Sequence, residues 1–276
     1  MKGLIVGIKR HPLKAFVSAF VGFSVLWTII EGFTYFLPML DLRGSTSLLV
    51  VLVVSLLYSA SRVWLPSMVE IPLKLTNTKI QIKFGDIFTE DGFRAIAMSE
   101  FFDSELGLPV SDKSIHGIFL KKCFGDHPES FDNMITSELK DVIPQNTNKK
   151  KGKNKRYPIG TTALVSANED HYLCFALTKA DTDTCKVSAD VLMLWQALQG
   201  LWEKARNSSG GAPIVVPLVG SGISGIGLPS RELLDLIIIS VIAETKQQQI
   251  APCIRIVIFP DRFEELDLSK IKRHWN

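Results

Sequence analysis

The chain has 276 residues, 46% of them hydrophobic, and a net charge of +3. That excess lies wholly before residue 71: six Lys/Arg face three Asp/Glu up to Glu70, and the remainder holds 25 of each sign. A charge-balanced remainder argues against a nucleic-acid binder, whose footprint is a surplus of Lys/Arg. The four cysteines have no CxxC spacing, and they read as buried thiols in a reducing compartment.

In chain order, a basic tail (residues 1–14) comes first, with Lys2, Lys9, Arg10 and Lys14. Ala15–Leu37 then runs for 23 residues with one charge, Glu31, and Ser47–Ser61 has none. A helix needs roughly 20 residues, at about 1.5 Å each, to cross a hydrocarbon core. The two stretches therefore predict a two-helix transmembrane hairpin over residues 15–66, turning at Pro38–Thr46. The turn offers one basic residue, Arg43, so the positive-inside bias places the N-terminus in the cytoplasm. Two spans then return residues 67–276 to the same side, which predicts a multi-pass inner-membrane protein. Phe33, Tyr35, Phe36 and Trp64 suit interfacial belts, whereas Trp27 falls mid-span. Glu31 reads either as a carboxylate reaching the headgroups or as a polar group facing a partner helix.

From Ile71 the pattern changes. Ile80–Phe84 alternates as a strand and stops at Gly85-Asp86, and Arg94–Met98 is a second apolar run. Lys113–Phe124 and Pro128–Val142 have helical spacing; Gly160–Val165 and Tyr172–Thr178 read as strands around the turn Asn168–Asp170. Between them lies Asn148–Arg156, with five lysines and an arginine, which reads as a solvated, mobile surface loop or as a contact for anionic lipid. Ser188 is the expected N-cap of a helix to Arg206. Pro213–Val219 is a fully apolar strand, Pro229–Lys246 a helix, and Cys253–Phe259 a last apolar strand. Strands apolar on both faces, alternating with helices, predict one three-layer α/β/α domain with a mixed, mainly parallel sheet.

The strongest chemical signal lies between the Pro213–Val219 strand and the following helix. Gly220-Ser221-Gly222-Ile223-Ser224-Gly225 continues through Ile226 to Gly227. Glycines turn backbone N–H groups toward a ligand, and the helix entry adds partial positive charge, so the loop is a cradle for phosphate or diphosphate. It has neither the ending of a Walker loop nor the position of a nicotinamide fingerprint. Five dispersed histidines (11, 116, 127, 171, 274) show no zinc spacing, and no metal or cofactor is expected.

Gly85-Asp86-Ile87 at a strand end, Pro158-Ile-Gly160-Thr161 before another strand, and Pro217-Leu-Val-Gly220-Ser-Gly222 come in the order of a macro domain, and Lys79–Phe263 resembles that family. The resemblance implies that Asp86 accepts a hydrogen bond from an adenine amino group with help from Ile87. It implies that the Gly-rich loop holds the diphosphate and distal ribose of ADP-ribose, and that Phe263 walls the adenine more readily than Phe259, which reads as core. Catalytic macro domains carry Ala-Ala-Asn after the second strand and then a Gly run. Here the chain reads Ser99-Glu100-Phe101-Phe102-Asp103, then Val110–Gly117. The lost asparagine implies a reader without catalytic residues, in which Ser99, Glu100 and His116 face a modified distal ribose.

A hairpin fused to such a domain resembles the membrane-anchored effectors of Thoeris antiphage defence. The resemblance implies that a TIR-domain partner consumes NAD to make an ADP-ribose derivative, such as its histidine conjugate. It further implies that binding drives homo-oligomerisation and disruption of the lipid bilayer, an abortive infection. The competing readings are a membrane-tethered ADP-ribosyl hydrolase and a reader of ADP-ribosylated proteins.

Overall fold

The computed structural model describes every residue except Met1, Pro38, Leu40, Asp41, Leu42, Arg43, Leu75, Asp126, Ile223 and Ser224, so most of the expected turn at Pro38–Thr46 is outside the described residues. The chain divides into two compact units: Met1–Ser67 with Asp267–Ile271, and Met68–Leu266 with Lys272–Asn276.

In the first unit the basic tail forms a helix, α1 (Lys2–Arg10), followed by α2 (Pro12–Phe36) and α3 (Ser45–Val63). At about 1.5 Å per residue, α2 is about 37 Å long and α3 about 28 Å. Both are long and apolar enough to cross a bilayer. α3 buries Val51, Ser55, Ser59 and Val63, one residue per turn, and the Ser59 hydroxyl donates to the Ala15 carbonyl of α2 at 2.6 Å. Small side chains on this stripe let the two backbones approach. Glu31 is partnered within its own helix, since the Trp27 indole N–H donates to it at 2.9 Å.

The second unit is built on strands β1 (Met68–Pro72), β2 (Lys79–Phe84), β3 (Phe93–Ser99), β6 (Thr162–Ala167), β7 (Asp170–Ala180), β8 (Val187–Ser188), β9 (Ile214–Pro217) and β10 (Cys253–Ile258). Their order is β1-β2-β10-β9-β3-β7-β6, with β8 beside β7. The five central strands from β2 to β7 are parallel, and β1, β6 and β8 are antiparallel additions. Parallel strands need cover on both faces. Helices α4 (Ile115–Cys123) and α5 (Pro128–Glu138) seal one face, where Phe119, Phe131 and Ile135 meet Ile96, Val165 and Cys174. Helices α6 (Val191–Ser208) and α7 (Ser230–Gln247) form the other layer, tied by the buried Trp202 indole donating to Ser240 at 2.9 Å. A short α8 (Leu268–Trp275) ends the chain.

Two expectations are corrected. The N-cap of α6 is Asp190, whose carboxylate accepts from the Met193 amide at 2.8 Å; Ser188 pairs within β8 instead. The basic run Asn148–Arg156 is mostly exposed, as expected, but it is not a free loop. It belongs to a hairpin of β4 (Gln145–Asn146) and β5 (Lys155–Arg156), and the Lys149 side chain is fully buried against Asp103.

Candidate functional site

A cleft of about 840 Å3 runs along the C-terminal ends of the parallel strands. In sheet order its floor is set by Asp86 and Ile87 after β2, Val257 and Phe259 at β10, Pro217–Gly222 after β9, Ala97–Ser99 at β3, and Leu177 and Thr178 on β7. Ligands of open α/β sheets bind at these carboxyl ends, where the strand order reverses. With neighbouring strands about 4.8 Å apart, four intervals separate Asp86 from β7 by about 19 Å. The cleft therefore spans five strands and is long enough for an extended ligand.

Asp86 caps a 3-10 turn, Ile87–Thr89: one carboxylate oxygen accepts from the Phe88 amide at 3.0 Å, and the Lys122 ammonium lies 3.6 Å from the other. Its side chain is 43% exposed, so the carboxylate both fixes the turn and meets the cleft. Phe259, 60% exposed, stands across from it at the end of β10. Phe263 is buried and packs against Phe84, ring centres 4.7 Å apart and planes tilted by 50°. Of these two phenylalanines, Phe259 is the one that meets the cleft, which Phe88 also lines. The strand ends at Ile258, and the Pro260–Glu264 turn carries Phe263 back into the core.

At the centre, Gly220 has a φ of +86°, and a Cβ there would lie 2.6 Å from Ile226. The backbone conformation favours glycine, and a Cβ would also require the Ile226 side chain to shift. The Ser221 hydroxyl donates to the Leu218 carbonyl at 2.9 Å. Arg262 braces the loop: its guanidinium donates to the Ser221 carbonyl at 2.7 Å and to the Ser230 hydroxyl at 3.0 Å while lining the cleft. Sequence reasoning missed Arg262, which follows the last strand with no motif to mark it. Opposite, Ser114 caps α4 by accepting from the Gly117 amide at 2.9 Å, which puts the start of that helix on the cleft wall.

The structure thus brings together Asp86, Ile87, Ser99, His116, Gly220, Ser221 and Gly222 in one cleft. It does not bring Glu100, Gly225 or Phe263 to the lining, and Ile223 and Ser224 lie outside the described residues. Glu100 is 3% exposed; its carboxylate lies 3.2 Å from Arg156 and accepts from the Ala180 amide at 3.4 Å. Burial raises its pKa, against the pull of Arg156. Among the described residues, no cluster of three or more His, Cys, Asp or Glu could hold a metal.

His116 lines the cleft with its Nε2 buried and without a hydrogen-bond partner among the described residues. Burial, reinforced by the Lys153 charge, pushes its pKa down to about 3. It is a neutral imidazole there, able to accept or donate. An unfolded histidine titrates near 6.5. Between those values the unfolded chain binds the extra proton, so stability falls as pH drops through the window. From pH 7 to 5 the expected loss through His116 is about 2 kcal/mol. Glu100, with its raised pKa, acts in the opposite sense, so the measurement is a difference: urea unfolding of wild type against His116→Gln at both pH values. Equal pH slopes for the two proteins would contradict a neutral buried His116.

The family model described as "Thoeris protein ThsA, Macro domain" matches residues 80–259. Among solved structures, a macrodomain of Oceanobacillus iheyensis with ADP aligns at 13% identity, covering 75% of this chain and 96% of that one, with a TM-score of 0.52. The same macrodomain with MES bound gives 13%, the same coverages and 0.51. These identities establish the fold alone. No curated protein sequence matches significantly.

Proposed function

Because the chain belongs to the family of Thoeris ThsA macro domains, we propose that it is a membrane-anchored sensor and effector of an antiphage defence system. Its cleft binds an ADP-ribose derivative, such as the histidine conjugate, made from NAD by a TIR-domain partner. Binding assembles the protein into larger homo-oligomers, and the paired apolar helices then disrupt the inner membrane. The N-terminus and the macro domain both lie in the cytoplasm.

The observation that carries this reading is one elongated cleft with a carboxylate and an exposed phenylalanine at one end and a glycine-rich turn of positive φ at its centre. The same chain carries two helices apolar enough to span a bilayer. An adenine is met by a carboxylate acceptor and an aromatic face, and a diphosphate by inward backbone N–H groups beside a helix start. A binder rather than a hydrolase is supported by Glu100. This acidic group after β3 is turned to Arg156 and the Ala180 amide, away from any reacting atom in the cleft.

Assembly follows only if the larger state holds ligand more tightly than the free protomer. Ligand is expected to convert small oligomers into larger ones in detergent, and expression together with the signal to depolarise cells. Deletion of residues 1–66 should abolish toxicity and leave ligand affinity within about twofold, since the cleft is lined wholly by the second unit. Toxicity surviving the deletion would make the membrane a mere address and favour a scaffold. Clean release of ADP-ribose from a modified protein would favour a hydrolase.

A further inference from the structure

The end of the cleft remote from Asp86 is shaped by two loops, residues 99–111 after β3 and 181–187 between β7 and β8. Both are acidic. Glu100, Asp103 and Glu105 lie in the first, and Asp181 and Asp183 in the second. Left unpaired, such a cluster would repel an anionic ligand and push the loops apart. The β4–β5 hairpin answers it with six cations from Lys149 to Arg156, four of which pair with rim-loop carboxylates, while Lys153 pairs with Asp132 of α5.

The geometry is specific. Lys149 meets Asp103 with both side chains buried. Lys150 lies 2.9 Å from Asp183, Lys151 3.2 Å from Glu105, and Arg156 3.2 Å from Glu100. The Lys153 amide donates to Asp103 at 2.8 Å and its ammonium to the Phe102 carbonyl at 2.6 Å. The backbone joins in, since the Lys150 amide donates to the Thr182 carbonyl at 3.0 Å. At the hairpin tip Gly152 has a φ of +89°, and a Cβ there would fall 2.3 Å from Asp103 and 2.9 Å from Pro109, itself a cleft residue. One hairpin thus touches both rim loops at once.

We propose that the basic hairpin is a positioning clamp for the remote end of the cleft. It pairs four carboxylates of the two rim loops and fixes the loops' separation, so that this end accepts the sugar esterified to the far phosphate of a nucleoside diphosphate. Lys150 and Lys151 are positioning residues that act through Asp183 and Glu105. The proposal rests on the cleft being the nucleotide site described above.

The test uses the full chain in detergent and two probes, ADP and ADP-ribose, in calorimetric titrations. ADP reaches from the Asp86 end to the glycine loop, and the additional ribose of ADP-ribose extends to the clamped end. The double variant Lys150→Glu/Lys151→Glu should bind ADP-ribose about tenfold more weakly and ADP within about twofold of wild type. Adding Glu105→Lys and Asp183→Lys restores the pairs in reverse and should recover ADP-ribose binding to within about threefold. Hydrogen exchange should speed up in both rim loops of the double variant and slow again in the compensated one. Equal losses for the two probes, no loss, or unchanged exchange would overturn the clamp. If wild type binds neither probe, the nucleotide reading fails, and exchange alone decides the clamp: joint acceleration of both loops upholds it, and unchanged loops overturn it.

Discussion

Replacing Lys149 by alanine is expected to destabilise the second unit by about 3–5 kcal/mol, the cost of leaving a buried charge without its partner. The Lys149 ammonium is 2.5 Å from Asp103, with side-chain exposures of 0% and 2%, and lies over the Phe101 ring at 4.3 Å. Once it is removed, Asp103 still accepts from the Lys153 amide and, at 3.4 Å, from the Ser99 hydroxyl, but has no paired charge to offset its desolvation. The double change Lys149→Met/Asp103→Leu should recover most of the loss, because a buried ion pair and an apolar pair of similar volume are close in stability. Denaturant titrations of the three proteins decide this. A loss below about 1 kcal/mol for Lys149→Ala would mean that water reaches the pair.

The second large effect concerns Asp86. Asp86→Ala should weaken ADP-ribose binding by about 1.5–3 kcal/mol, roughly 10- to 150-fold, through loss of a charge-assisted hydrogen bond. The same carboxylate accepts from the Phe88 amide, so alanine also removes a cap. Asp86→Asn separates the roles: it keeps an oxygen for the cap but loses the charge and offers the adenine amino group a competing donor. Asn is expected to retain stability and still lose most of the affinity. Affinity preserved in Asn but lost in Ala would reduce Asp86 to a turn former.

The two long apolar helices and the parallel sheet were legible because predominantly apolar runs such as Ser47–Ser61, Pro213–Val219 and Cys253–Phe259, the last interrupted only by Arg255, have few other solutions in water or lipid. The Asp86 and Gly220 signals were legible because each is local, a strand end followed by a turn. The hairpin was not. Its lysines, glycine and asparagines have the composition of a solvated loop, and what buries Lys149 is a carboxylate 46 residues earlier. The two terminal phenylalanines show the same limit. Both follow the last strand, and which one meets the cleft depends on where β10 stops and how the Pro260 turn swings, information held in tertiary packing on Phe84. Ser188 and Asp190 are both good caps; pairing of β8 with β7 removes the first and leaves the second.

The central claim, that this cleft reads an ADP-ribose-derived signal, is tested most directly by calorimetric titration of the detergent-solubilised chain with ADP-ribose and its histidine conjugate. The expected result is saturable binding, tighter for the conjugate than for ADP-ribose and weakened by Asp86→Asn. Absence of heat for both compounds, with the protein folded by circular dichroism, would contradict it.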